Sequence, residues 1–298
     1  MARVRKVTVD DFDKIYPLLL ELNNPRITKE MWKRLFVHQW GDNEPYIGYV
    51  LEDGGEAKGF IGLIFSRRAI DGATYKFCNV SSWIVKEEYR SESLSLIFPL
   101  LTLKDYTITN LTPSPAVYDI FRTLGFQQLD DTVRVFPFFM WKRFFQHQCS
   151  ADLESEDMAK HINEQHLKIY DDHAAFRAIH ALIQYNEQTC YLVMRRIKGV
   201  HVGNRLDILT ARIPLLQVHY VSNPNLLLQH IGCIAFRICL RFRVLGLLID
   251  DRLLKGHSHG MSISLKLQSP RLFRSEALDR TQVDSLYSEL FLLNLYGA

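Results

Sequence analysis

The stretch VSSWIVKEEYRSESLSLIFPLL (80–101) groups the residues of this 298-residue chain best suited to holding an anion. A half-apolar run ends in a charged turn, and an apolar segment with helical spacing starts near Ser93. Free amides at a helix start, together with the positive end of its dipole, form an anion site. Arg90 would add a fixed charge there. Ser91, Ser93 and Ser95 are small enough to admit a phosphate and carry hydroxyl donors, whereas Glu92 opposes an anion unless it points away. The same residues also read as a plain strand–turn–helix corner.

Other chemically capable residues are scattered. His38 is a candidate base without positional support. GHSHG (256–260) puts two histidines two apart between glycines, but with no third ligand at recognisable spacing it reads as a flexible loop, and no metal is expected. Arg67 and Arg68 at a strand end would suit an anion or a solvated turn. Arg237, Arg241 and Arg243 would line a groove for an acidic ligand, form the wet edge of a helix–strand unit, or pair with Asp250 and Asp251. Five cysteines (Cys78, Cys149, Cys190, Cys233, Cys239) stand at irregular spacing without a CxxC pair, which predicts reduced thiols and a cytoplasmic protein, with Cys78 a small core residue.

The elements that must position these residues follow from periodicity. RVRKVTV (3–9) alternates as a strand, and Asp10 or Asp11 caps a helix to about Asn23 with Ile15, Leu18, Leu19 and Leu22 on one face. Thr28 caps a second helix without a capping box, since Met31 stands where Glu or Gln would. Strands 46–53 and 57–68 flank Gly54-Gly55, and a third runs over 74–85 after Asp71-Gly72. A strand (106–112), a helix (114–124) closed by Gly125, and returning strand material complete a mixed α/β order. The polar, acidic segment 147–166 is the expected domain boundary, dividing the chain into 1–146, a connector 147–188 and a second part 189–298. The connector carries helical spacing at Phe176, Ile179, His180 and Ile183. Strands follow at 190–197, 206–213 and 215–222, then a helix from Asn223 to about Cys239, a strand over 241–250 and a tail helix over 283–295. That tail, with Val283, Leu286, Tyr287, Leu290 and Phe291 on one face, is a candidate homodimer seam or packs on its own domain. Strand, Pro-containing turn, helix and strand recur at 106–137 and 215–250.

This order, with Val85, four residues and then Arg90-Ser91-Glu92-Ser93-Leu94-Ser95 opening a helix, and with a helix ending in Gly-Phe (116–126), resembles the GNAT superfamily of N-acetyltransferases over residues 3–140. Serines replace both motif glycines, as in divergent bacterial members found among exopolysaccharide genes. The resemblance implies a GNAT-like N-terminal domain with a largely antiparallel sheet and flanking helices, followed by a smaller α/β half that is itself GNAT-like. It further implies that acetyl-CoA, or another acyl-CoA, sets its pyrophosphate on the amides of 91–95 and its pantetheine arm along Trp83, Ile84 and Val85. The thioester would enter where strands 74–85 and 106–112 splay, and a primary amine, an amino sugar by analogy, would attack it directly. The family's proton donor to the thiolate falls on Phe121, which cannot serve, so Tyr118 takes its place as the catalytic candidate. The family's glutamate base falls on Asn79, leaving Ser81 to order a water. The alternative is a non-catalytic module that binds acyl-CoA as a sensor or acts as a scaffold.

Composition bears on other classes. A net charge of +3, mild and spread along the chain, neither demands nucleic acid nor excludes it, but the sequence lacks the dense basic face with interleaved aromatics that a nucleic-acid-binding reading would want. The most apolar region, 226–249, is interrupted by His230, Arg237, Arg241 and Arg243 and predicts no membrane span. The opening MARVRKVTVDDFDK turns acidic too early for a secretion signal.

Overall fold

The computed structural model describes residues 2–37, 40, 44–138, 150–153, 158–197, 213–256 and 262–295. His38, Cys149, the histidines of GHSHG, most of strand 206–213 and much of the 147–166 segment lie outside the described residues. The chain divides into two compact units of comparable length. Met1–Gln127, Arg271–Asp279 and Tyr287–Leu295 form the first; Gln128–Pro270, Arg280–Leu286 and the last three residues form the second. The division thus falls at Gln127–Gln128, not within 147–166. Sequence spacing could not reveal this, because two stretches near the C-terminus return to the first unit.

In that first unit, β1 (Arg3–Lys6) leads to α1 (Phe12–Leu20), which buries Phe12, Ile15, Leu18 and Leu19. The strand is shorter than 3–9 because the chain turns into a 3-10 helix at Val9–Asp11. Thr28 caps α2 (Lys29–Arg34) by accepting from the Met31 amide. β2 (Gly48–Asp53), β3 (Glu56–Ile70) and β4 (Ala73–Val85) form an antiparallel meander. Its turns need positive φ, met by Gly54 (57°), Gly55 (82°) and Gly72 (81°). A 3-10 helix (Glu87–Leu96) and α3 (Phe98–Leu101) connect to β5 (Tyr106–Asn110), which pairs parallel to β4. α4 (Pro115–Thr123) is capped by Ser114 and ends at Gly125 with φ 85°. Residues 272–274 close the far side of β5 antiparallel. Leu51, Ile61, Cys78, Leu96, Ile97, Phe121 and Phe126 share one core. Arg68 is buried, its guanidinium 5.1 Å from the Tyr287 ring centre, so it belongs to the fold rather than to a solvated turn.

The second unit contains β6 (Gln127–Pro137), β7 (Ser150–Leu153), α5 (Glu164–His173), β8 (Ile179–Tyr185), β9 (Gln188–Ile197), β10 (Leu215–Val221), α6 (Pro224–Gln229), α7 (Ile231–Phe242), β11 (Gly246–Asp250) and β12 (Ile263–Arg274), whose last residues belong to the first unit. Its sheet runs β6-β11-β10-β9-β8-β7, with one parallel pair, β10–β11. Four expectations are corrected here and in the tail. Residues 179–185 are a strand: a short apolar run satisfies either period, and pairing with β9 decides it. The helix after Asn223 breaks at His230 and resumes as α7 to Phe242, so the following strand starts only at Gly246. Asp250 pairs with Arg252 and Asp251 with Arg134, not with Arg237, Arg241 or Arg243. Only Glu289–Leu292 of the tail is α-helical, and Val283, Leu286, Tyr287, Leu290 and Phe291 are buried within the chain itself.

Candidate active site

The first unit forks at a defined point. β4 and β5 pair in register from Lys76–Tyr106 to Asn79–Thr109 and then separate, and β4 continues to Val85 alongside β3. Beyond the fork β4 is irregular. Phe60 opposes Ile84 and Gly62 opposes Ser81, so Ser82 and Trp83 together face Ile61 in a β-bulge. Ser82 adopts φ 52°, which a side chain disfavours and which reorients the backbone beside the cleft.

A cavity of about 320 Å³ opens at the fork, within the range that holds a small ligand. Val80, Ser81, Ser82 and Trp83 line it from β4, and Asn110, Thr112, Pro113, Ser114 and Val117 line it from the β5–α4 connection. Trp32 closes it from α2, Leu22 and Ile27 from the α1–α2 connection, and Glu289, Leu293 and Leu295 from the tail. Ser81 is buried, with its hydroxyl 3.0 Å from that of Ser82. The Trp83 indole N–H is buried without a hydrogen-bond partner, and its ring meets Phe121 edge-on.

The acidic end of this cavity comes from the tail. Glu289 is 1% exposed; its Oε1 accepts a 2.7 Å bond from the Thr112 hydroxyl, while Oε2 is buried with no partner. Asn79 fixes the backbone at this point. Its amide donates to the Thr109 hydroxyl (3.0 Å), and its Oδ1 accepts the Glu289 N–H (3.2 Å). Burial pushes the Glu289 carboxyl up to about 7, against the opposing pull of the Thr112 hydroxyl, its own backbone N–H, the Arg271 charge and the Asn79 amide.

The serine-rich run is built differently from the expected helix start. Residues 91–95 lie inside the 3-10 helix, whose first turn carries Glu87 and Glu88. Exposed Arg90 pairs with Glu87 at 2.7 Å, and the Ser95 hydroxyl donates to the Glu92 carbonyl at 2.6 Å. Ser91, Glu92 and Leu94 are exposed. The segment is held to the β2–β3 hairpin by Lys86 N–H to the Lys58 carbonyl and by Tyr89 hydroxyl to Asp53, both at 2.9 Å.

Of the residues expected to act, Ser81 and Trp83 line the cavity. Ile84, Val85 and the 90–95 run lie further along the chain, and from α4 Val117 lines the cavity whereas Tyr118 does not. Phe121 is wholly buried. Sequence reasoning missed Glu289, Thr112 and Trp32. For Glu289 the available signal was a lone carboxylate inside the apolar run YSELFLLNL. Among the described residues no group of three His, Cys, Asp or Glu side chains could hold a metal, and no helix is long and apolar enough to cross a membrane.

No protein-family model and no curated protein matches this chain. Solved structures do. A probable N-acyltransferase from Enterococcus faecalis V583 matches at TM-score 0.58 and 14% identity, over 92% of this chain and 72% of the other. A GCN5-related N-acetyltransferase from Anabaena variabilis matches at TM-score 0.58 and 12% identity with the same coverage. One from Kribbella flavida matches at 0.56 and 13%, over 92% and 71%. The likeness therefore extends well past residues 3–140, and the chain has the mixed α/β, mostly antiparallel fold of the GCN5-related N-acetyltransferases.

Proposed function

We propose that this protein transfers an acyl group, acetyl in the simplest case, from acyl-CoA to a primary amine in a ternary complex. The observation that carries the reading is the fork: a parallel strand pair splays beside a bulged β4, with a ligand-sized cavity between the arms. Past Asn79, β4 no longer pairs with β5, so the pantetheine amides can add to Trp83–Val85 as a further strand would. The thioester then lies at the fork, where a backbone N–H of the 83–85 strand stabilises the oxyanion and proximity supplies most of the acceleration. The pyrophosphate falls to the 90–95 segment, which requires Arg90 to exchange Glu87 for phosphate. Tyr118 remains the candidate thiolate donor, reaching the cleft only if α4 shifts, and Ser81 orders a water. An amino sugar is one amine of the required class. The free thiols of Cys78, Cys190, Cys233 and Cys239 fit a cytoplasmic setting.

Calorimetric titration with acetyl-CoA, beside Arg90→Glu, tests the reading, followed by thiol release across a panel of primary amines. Micromolar binding weakened by the mutation, with turnover of at least one amine, is the expected result. Binding without turnover would favour the second reading, an acyl-CoA sensor, for which the buried Phe121 in the usual donor position speaks.

A further inference from the structure

We propose that Glu289, delivered to the cleft by the C-terminal segment, is the general base that deprotonates the amine acceptor. The inference rests on the acyl-transfer reading above and adds the residue and the chemistry of the acceptor.

Three observations converge on this side chain. It lines the cavity at the fork, together with Ser81, Trp83 and Thr112. Its two oxygens are unequal: Thr112 holds Oε1, while Oε2 is buried and lacks any hydrogen-bond partner. An orphaned carboxylate oxygen is costly unless a donor arrives or the group takes up a proton. Finally, Asn79 clamps the backbone of Glu289 itself. The residue on β4 that cannot accept a proton thus positions, from the tail, one that can. A purely structural glutamate would be expected to have both oxygens satisfied.

The walls define the acceptor. Leu22, Ile27, Trp32 and Leu293 supply apolar wall, Asn24, Ser81, Ser82, Asn110, Thr112 and Ser114 supply neutral polar wall, and Glu289 is the acidic side chain lining the cavity. That arrangement suits an ammonium on a neutral body with both apolar and hydrogen-bonding parts and disfavours an anionic acceptor. Arg271, on β12, is the charged group acting on Glu289, and its neighbours Asn79 and Thr112 are neutral.

The proton ledger closes with acyl thioester as co-reactant. The ammonium gives one proton to the Glu289 carboxylate. The neutral nitrogen attacks the thioester carbonyl carbon, forming the C–N bond. The C–S bond breaks as the tetrahedral intermediate collapses, and its electron pair leaves on sulfur. The thiolate takes a proton from Tyr118, the donor of the reading above, the second proton of the nitrogen restores that donor, and Glu289 returns the first to solvent. Each turnover converts an ammonium and a thioester into an amide, a thiol and one proton.

The test uses the full chain, acetyl-CoA and the amine panel, read by thiol release and by calorimetry. For the wild type, kcat/KM should fall on the acid side with an apparent pKa near 7. Glu289→Gln should lose about 10²- to 10⁴-fold in kcat and lose that acid limb, while its acetyl-CoA affinity stays unchanged. Glu289→Asp should recover part of the rate. A fully active Glu289→Gln with the limb intact overturns the assignment, as does a wild-type profile flat from pH 5 to 8, a result that needs no variant. A wild type that neither binds acetyl-CoA nor turns over any amine overturns the acyl-transfer reading and the base with it. That outcome is distinct, because Glu289 is then never compared in an active enzyme.

Discussion

Replacing Glu289 with glutamine should stabilise the protein above neutral pH and leave it nearly unchanged in acid. The carboxyl is wholly buried, and burial raises it from 4.5 to about 7. The unfolded chain gives up its proton near 4.5, whereas the folded chain keeps it until about 7. Between those values the folded state binds more protons, so this group's contribution declines as pH rises through the window. A shift of that size corresponds to about 3 kcal/mol, an upper figure for a buried acid. Glutamine stays neutral throughout and can still accept from Thr112. The assay is urea unfolding of both proteins at intervals from pH 4.5 to 8.5, reading the difference between them. The difference matters because His180 works the other way. Burial, and secondarily His173, lowers its pKa from 6.5 to about 4, so both proteins lose stability as pH falls through that range. The gap between mutant and wild type should open by up to about 3 kcal/mol on going from pH 4.5 to 8. A gap constant across that range would refute a proton held at Glu289.

Further outcomes follow from other parts of the first unit. Glu52 is held at about 2 by Lys14, Arg5 and Arg3, with contacts of 2.7, 2.9 and 3.2 Å. Its contribution is present above 4.5 and lost as pH falls towards 2, so Glu52→Gln should cost roughly 1–2 kcal/mol at pH 7 after screening, measured by urea unfolding. Ser82→Gly should stabilise by about 1 kcal/mol by relieving φ 52°, while lowering turnover if the bulge positions the backbone of the cleft. Gly48→Ala should be strongly destabilising or should abolish soluble expression, because a Cβ there would lie 2.2 Å from the Ile61 carbonyl oxygen; thermal unfolding would show it.

Much of the scaffold was legible because local chemistry dictated it. Thr28 caps the helix it was expected to cap, Gly125 ends α4, and Gly54-Gly55 turns the hairpin. The fork was expected only through the resemblance to the N-acetyltransferases, and the pairing of β4 with β5 does stop at Asn79–Thr109. What escaped was set by distance in sequence. Thr112 and Glu289 are 177 residues apart, and no window around either shows that they meet. Apolar periodicity over 283–295 correctly marked burial but not helix, because tertiary contacts can bury every side of an irregular segment. The 91–95 run failed as a helix start for a local reason: the 3-10 turn begins four residues earlier, at Glu87. Tyr118 was chosen by counting one turn back from Phe121, yet on the amphipathic α4 the cavity meets Val117.

The most direct test of the central claim is amide hydrogen exchange of the protein with and without acetyl-CoA. Protection gained at Val80–Val85 and along 86–95, with little change in β1 or β2, is the predicted result. Exchange unchanged at saturating acetyl-CoA, or protection confined to the second unit, would contradict an acyl-CoA site at the fork of β4 and β5.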